Sequence, residues 1–364
     1  MKKLSVVLLH ILLALACKSP KATSQISLTE NKTDFLDSLV SELIKPLPEN
    51  TEISIGVVKN NKQEHFGFIK KDSMANTIDN SHTLFQIGSI TKVFTGVLMG
   101  DAIITGKAKL TNTLGTLLPY NFKNGGSVTL QQLTTHTSGI YSYPLGFQGV
   151  KGYTANDPYK HVTPEMVQGF FENSFVPQTA PGEKYEYSNL GVGLLAYIIA
   201  NMNSMSLMDA YTNVILNPLD MNETCMYMCS AQLTVGLDSK GQETPSWNLP
   251  EIIAGAGALQ SNTKDMCKFI SAVTSNQFPA IEKSKTPLFR MNENTEICMN
   301  WFYADIEDYG HWYFHGGGTG GFTSALFVDD ETNNGIIVLS NVSAYHPSFQ
   351  NIEMIAMEYL KYIN

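Results

Sequence analysis

Strand-like segments lie at the two ends of this chain and are scarce in its middle. Ile53 to Val58 and Glu64 to Ile69 read as strands around the polar turn Lys59-Asn60-Asn61-Lys62. Cys298 to Ala304, Trp312 to His315, Thr323 to Val328 and Gly335 to Leu339 read as four more. Roughly residues 105 to 255 are mixed short helices and loops rich in Gly, Pro, Asn and Tyr. This distribution predicts an α+β body whose sheet is built from both termini, with a largely helical insertion.

Helices follow from apolar spacing. Phe35, Leu36, Leu39, Val40, Leu43 and Ile44 give an amphipathic N-terminal helix, and Ser89 to about Ile104 a helix rich in apolar residues. Leu190 to Asn201 is an apolar segment long enough for a buried helix. Another helix begins near Thr263 and runs through Met266, Phe269, Ile270 and Val273, and a last one covers about Phe349 to Tyr362.

Met1 to Cys17 reads as an export signal, with Lys2 and Lys3 before a short apolar stretch. Ala14-Leu15-Ala16 fits an ordinary signal-peptidase site, and the same residues before Cys17 resemble a bacterial lipobox in which Cys17 is lipidated. Both endings predict an exported protein, periplasmic in one case and membrane-anchored through Cys17 in the other. Residues 1–16 are then the signal, the polar residues 17–31 a tether, and residues 32–364, which no repeat or linker divides, a single domain.

With 24 Lys+Arg against 33 Asp+Glu, the net charge of −9 and the lack of a basic block exclude nucleic acid as the main partner. The 43% hydrophobic content excludes disorder. Cys225, Cys229, Cys267 and Cys298 form no C-x-x-C and bring no metal-ligand set, so buried or loosely paired thiols are expected.

Three motifs carry chemistry. Ser89-Ile90-Thr91-Lys92 opens a predicted helix, where positions three apart share a face and the Lys92 amine can reach the Ser89 hydroxyl. Serine is a poor nucleophile without a base, and a desolvated lysine supplies one. Tyr187-Ser188-Asn189 follows 98 residues later. Its phenol, with an intrinsic pKa of about 10, can relay protons, and its amide suits a substrate amide. His315-Gly316-Gly317-Gly318-Thr319 ends one predicted strand, where a substrate can lie against the edge and a backbone N–H can join that of Ser89 in an oxyanion hole. Each motif alone is weak. Ser261-x-x-Lys264, Tyr211-Thr212-Asn213 and Tyr362-Ile363-Asn364 repeat the first two patterns. The nominal Gly316-x-Gly318-x-x-Gly321 fingerprint precedes a strand, not the helix a dinucleotide site needs.

In this order the motifs resemble those of the penicillin-recognising serine hydrolases: class C β-lactamases, D-Ala-D-Ala carboxypeptidases and esterases of the same fold. Phe85-Gln86-Ile87-Gly88, Thr134-Thr135-His136-Thr137-Ser138-Gly139, Pro181-Gly182, Ala254-Gly255-Ala256-Gly257-Ala258-Leu259 and Gly335 to Asn341 extend the resemblance over roughly residues 50 to 345. It implies a β-lactamase/transpeptidase-like fold with an antiparallel sheet. It also implies Ser89 as acylated nucleophile, Lys92 as its proton partner, Tyr187 as shared acid/base and Gly318 as second oxyanion donor. Asn189, His315, Gly316, Gly317 and Thr319 would contact substrate, without metal or organic cofactor. His315 stands where many class C β-lactamases have Lys, and Gly316 where the family has Thr. Both changes lower the expectation of a strong cephalosporinase. The substrate classes left open are cell-wall D-Ala-D-Ala peptides, β-lactams and simple esters or amides. The rival is a penicillin-binding or sensor protein without turnover. His136 is expected to be structural, and the cluster Tyr141, Tyr143, Phe147 and Tyr153 fits a substrate cleft and loop packing equally.

Overall fold

Alternation along a strand sends successive side chains to opposite faces. The computed structural model, which describes residues 32–144, 146–227, 229–306 and 309–363, shows what each face meets. The expected signal, the lipidation candidate Cys17 and the tether lie outside the described residues.

The N-terminal strands are β1 (Glu52–Lys59), β2 (Lys62–Lys71) and β3 (Met74–Thr77). The C-terminal set is β4 (Phe289–Arg290), β5 (Thr295–Ile297), β6 (Phe302–Ile306), β7 (Gly310–Gly318), β8 (Thr323–Asp329) and β9 (Asn334–Ser340). All nine form one antiparallel sheet in the order β3-β2-β1-β9-β8-β7-β6-β5-β4. The two ends of the chain join where β1 pairs β9, from Ile53 opposite Ser340 to Lys59 opposite Asn334.

Ile53, Ile55 and Val57 of β1, Phe327 of β8 and Ile336 and Val338 of β9 face helices α1 (Lys32–Leu43) and α5 (Gln350–Ile363). Val58, Leu326, Val328, Ile337 and Leu339 point the other way, into a larger core with α2 (Thr91–Ile104), α3 (Asn189–Met202) and α4 (Thr263–Ser275). Each fully buried Ile, Leu or Phe contributes about 1.5–3 kcal/mol, and a one-residue slip of β1 would drive its large side chains into the opposite core, where a Cβ at Gly56 would already lie 2.6 Å from Cys267 Sγ. Helix α2 is apolar nearly all round and buried on all sides, as a central helix must be.

The differences from the sequence reading lie at the sheet edge. Residues 298–301 do not continue a strand: Asn300 has φ of 61°, and Cys298 N–H donates to the Trp301 carbonyl, closing a turn before β6. The short strands β3, β4 and β5 carry no sustained alternation and were not anticipated. Between residues 105 and 255, α3 is the longest helix among those described; shorter helices, loops and a two-stranded ribbon make up the rest.

Candidate active site

Ser89 is positioned by strand pairing on the segment just before it. Phe85 and Gln86 pair with Ser261 and Gln260, Ile87 N–H donates to the Leu259 carbonyl, and the chain then turns through a 3₁₀ segment, Gly88–Ile90, into α2. Lys92 follows in the first turn of α2 and is fully buried.

Tyr187 sits one residue before the cap of α3. Ser188 is that cap, its Oγ accepting the Gly191 N–H at 2.8 Å, so Asn189 opens the helix. His136 grips this segment from both sides. Its carbonyl accepts the Glu186 N–H at 2.7 Å, its Nδ1 accepts the Ser188 N–H at 3.1 Å, and its ring lies 4.4 Å from that of Tyr187. The histidine expected to anchor a turn therefore also holds Tyr187 in place.

The first two motifs meet. Lys92 Nζ lies 3.0 Å from Ser89 Oγ, 2.8 Å from Asn189 Oδ1 and 2.6 Å from the Ala256 carbonyl oxygen. The Tyr187 hydroxyl donates to Ser89 Oγ at 2.8 Å, and the Lys92 amine lies 4.7 Å from the centre of the Tyr187 ring. None of these partners is a carboxylate. Burial without a counter-ion pushes the Lys92 amine well below its usual range and the Tyr187 phenol well above its own. In its neutral form, which this depression favours, the amine has two N–H groups and one lone pair. The N–H groups donate to Asn189 Oδ1 and Ala256 O, which leaves the lone pair for the Ser89 O–H. Tyr187, protonated, completes the chain by donating to Ser89 Oγ. In that form every donor has an acceptor, and the nucleophile's proton has a base to go to.

The third motif forms the end of β7. Gly318 lies against the Ser89 turn: a Cβ on Gly88, whose φ is +50°, would fall 2.6 Å from the Gly318 nitrogen. Gly317 is equally tight, its Cβ position lying 2.1 Å from the Ile87 carbonyl oxygen. Gly317 and Gly318 remain half-exposed at the strand end, while Gly316 is buried. His315 and Thr319 are withdrawn from the surface, each 1% exposed. His315 Nδ1 is 2.6 Å from the Gly316 carbonyl and donates to it. Burial and the nearby Lys92 amine push its pKa down to about 3, partly opposed by that bond, so it is neutral rather than partly charged. The Thr319 hydroxyl accepts the Gly321 N–H inside the turn to β8.

Sequence reasoning missed the Ala256 carbonyl and Tyr159, whose hydroxyl accepts from Asn189 Nδ2 at 2.7 Å and donates to the Tyr143 hydroxyl at 2.8 Å. Ala256 lies in a small-residue segment already noted; nothing in the spacing singled out Tyr159. The stacked rings of Tyr143 and Phe147, with Tyr153 against Phe147, thus join the site through Tyr159. Tyr141 instead packs edge-on against Phe170. The decoys fall elsewhere: Asn262 caps α4 beside Ser261, and Tyr211 bonds Thr95 in the core. Cys225 and Cys229 form a disulfide, and Cys267 and Cys298 are buried free thiols.

A family model described as Beta-lactamase matches residues 40–360. A beta-lactamase of Providencia stuartii is 28% identical over 307 residues, which cover 80% of this chain and 73% of that protein. Protein flp of Staphylococcus aureus is 26% identical over 315 residues, and the match spans 80% of this chain but 59% of the staphylococcal protein. Among solved structures, a beta-lactamase/D-alanine carboxypeptidase from Pseudomonas syringae superposes with a TM-score of 0.72 at 20% identity, covering 89% of this chain and 99% of that one. A class C beta-lactamase in complex with cefoxitin superposes with a TM-score of 0.76 at 19% identity, covering 90% and 98%. These structures share the fold.

Proposed function

The chain belongs to the beta-lactamase family of serine hydrolases, and on that premise we propose that it cleaves an amide or ester through an acyl-enzyme on Ser89. The observation that carries this reading is the contact of Ser89 Oγ with both Lys92 Nζ, whose pKa burial lowers, and Tyr187 OH, whose pKa burial raises.

In the first step Ser89 Oγ attacks the carbonyl carbon while its proton passes to Lys92. The oxyanion forms between the N–H groups of Ser89 and Gly318, placed on adjoining backbone. Tyr187 gives its proton to the leaving group and is re-protonated from Lys92, which restores both groups. Water then attacks the acyl carbon with the same pair acting as base, and Ser89 leaves with a proton. Asn189 holds Lys92 through its Oδ1 and Tyr159 through its Nδ2, and a substrate amide would compete for those bonds. His315, neutral and buried, supports the strand edge through Gly316 and supplies no cation to a substrate carboxylate.

The substrate reading is a cell-wall D-Ala-D-Ala peptide, a β-lactam or a simple ester, met in the bacterial envelope by a protein exported and tethered through its N-terminus. The structural neighbours named for D-alanine carboxypeptidase activity and for cefoxitin binding support small amide substrates. The test is to incubate the protein with a penicillin, a chromogenic cephalosporin, a D-Ala-D-Ala peptide and an aryl ester, following product and intact mass. Turnover of at least one, abolished by Ser89→Ala, is the expected result. Turnover surviving in Ser89→Ala would overturn the assignment, and a permanent stoichiometric adduct would favour a binding or sensor role.

A further inference from the structure

Around the catalytic cluster, five side chains carry six buried polar atoms that bond to no described residue: Thr134 Oγ1, His136 Nε2, Tyr185 OH, both amide atoms of Asn300, and His315 Nε2. They share one neighbourhood. The Asn300 N–H donates to the Thr134 carbonyl at 3.1 Å, and Thr134 is two residues from His136. The Tyr185 ring lies 5.7 Å from that of His136 and 6.2 Å from that of Phe302, which in turn lies 5.3 Å from the His315 ring. Asn300 stands two residues before Phe302, which pairs with Phe314 across β6 and β7. Thr134, His136, Asn300 and His315 are each 1% exposed or less.

Buried polar groups are nearly always bonded, so six such atoms on neighbouring side chains mark a site for a guest. Their chemistry selects it. His136 Nδ1 accepts the Ser188 N–H, so its proton is on Nε2, which is a donor. His315 Nδ1 donates to Gly316 O, so its Nε2 is a bare acceptor. Tyr185 and Thr134 offer O–H groups, and Asn300 offers one acceptor and two donors. An anion would meet the lone pairs of His315 and Asn300, and a cation would meet the N–H and O–H donors. A small neutral molecule that both donates and accepts suits all six.

We infer that Thr134, His136, Tyr185, Asn300 and His315 form an internal water-binding site. The water bridges two imidazoles that do different work: His136 grips the chain on both sides of Tyr187, and His315 holds the Gly316 carbonyl two residues before Gly318. Hydration of this site therefore sets the acid/base phenol and the oxyanion edge in register, and Thr134 and Tyr185 are positioning residues. The water site stands on the geometry alone; its kinetic consequence rests on the acyl-enzyme reading above.

The test pairs a high-resolution crystal structure with aryl-ester kinetics for the wild type, the double variant Thr134→Val/Tyr185→Phe and the conservative Thr134→Ser. The expected density is water within about 3.2 Å of His315 Nε2 and at least one other of the six atoms. The double variant loses that water, and its kcat falls about tenfold at nearly constant KM, while Thr134→Ser keeps both values. Side chains that rotate to satisfy one another without water, a bound ion in the site, or an unchanged kcat in the double variant would overturn the inference. Should the wild type turn over no ester, the acyl-enzyme reading fails, and the density alone decides for or against the water site.

Discussion

Gly88 and Gly318 approach so closely that a Cβ on Gly88 would lie 2.6 Å from the Gly318 nitrogen and 3.0 Å from its carbonyl oxygen. The turn that carries the nucleophile is thereby seated on the strand end that carries the second oxyanion donor. Because the contact is backbone on backbone, neither side can swing aside. Gly88→Ala must also hold an L-residue at φ of +50°. We expect a stability loss of about 2 kcal/mol and at least about a tenfold fall in ester turnover. Thermal unfolding and kcat check this, and wild-type values for both would refute the seating argument.

The pH–rate profile reports the base. Since burial lowers the pKa of Lys92, it enlarges the share of neutral amine available for attack. Activity is then lost as pH falls through that depressed value and returns when pH is raised. Lys92→Met should be inactive at every pH. An acid limb that survives in a partially active Lys92 variant would assign the titration to another group.

Tyr187→Phe keeps the ring against His136 and removes the hydroxyl bonded to Ser89. The fold should be unchanged and turnover should drop by roughly 10²–10⁴, the usual worth of a placed acid/base. Circular dichroism and steady-state kinetics decide it. A drop of less than about tenfold would remove Tyr187 from proton transfer.

Stability should weaken in mild acid. His65, His136 and His315 all have lowered pKa values, chiefly from burial, at about 4 for His65 and about 3 for His315. The unfolded chain protonates these imidazoles near pH 6.5 while the folded one does not, so it binds more protons and stability falls as pH drops from there. Glu353 opposes this, since burial raises its pKa to about 7 and the folded state takes up that one proton first. Three imidazoles outweigh one carboxyl, so urea midpoints should decline from pH 7 to pH 5. Flat midpoints across that range would contradict the buried neutral state of the histidines.

The Cys225–Cys229 disulfide closes a short loop, with a sequence separation of 4. Chain entropy gives a bridge of that span about 2 kcal/mol. Replacing both cysteines by alanine should lower the melting temperature modestly and leave the fold intact, as calorimetry would show. Failure to fold would mean that the bridge anchors the Gln260 strand, which exchanges backbone bonds with Cys225.

The sequence by itself determined the layered body. Alternation in β1, β8 and β9 sorts side chains to two cores, and the apolar runs of α2 and α3 require burial on all sides. Both follow from local periodicity, which is written along the chain. Ser89 and Lys92 were legible for the same reason, lying three residues apart on one helical turn. Tyr187 and Gly318 could be nominated but not placed, because each meets Ser89 across a long span of chain. Only the tertiary structure decided that the Ala256 carbonyl and Tyr159 belong to the site, and that His315 is neutral and inward-facing. Those outcomes depend on burial and on partners distant in sequence. A charge state is a property of the surroundings that folding assembles.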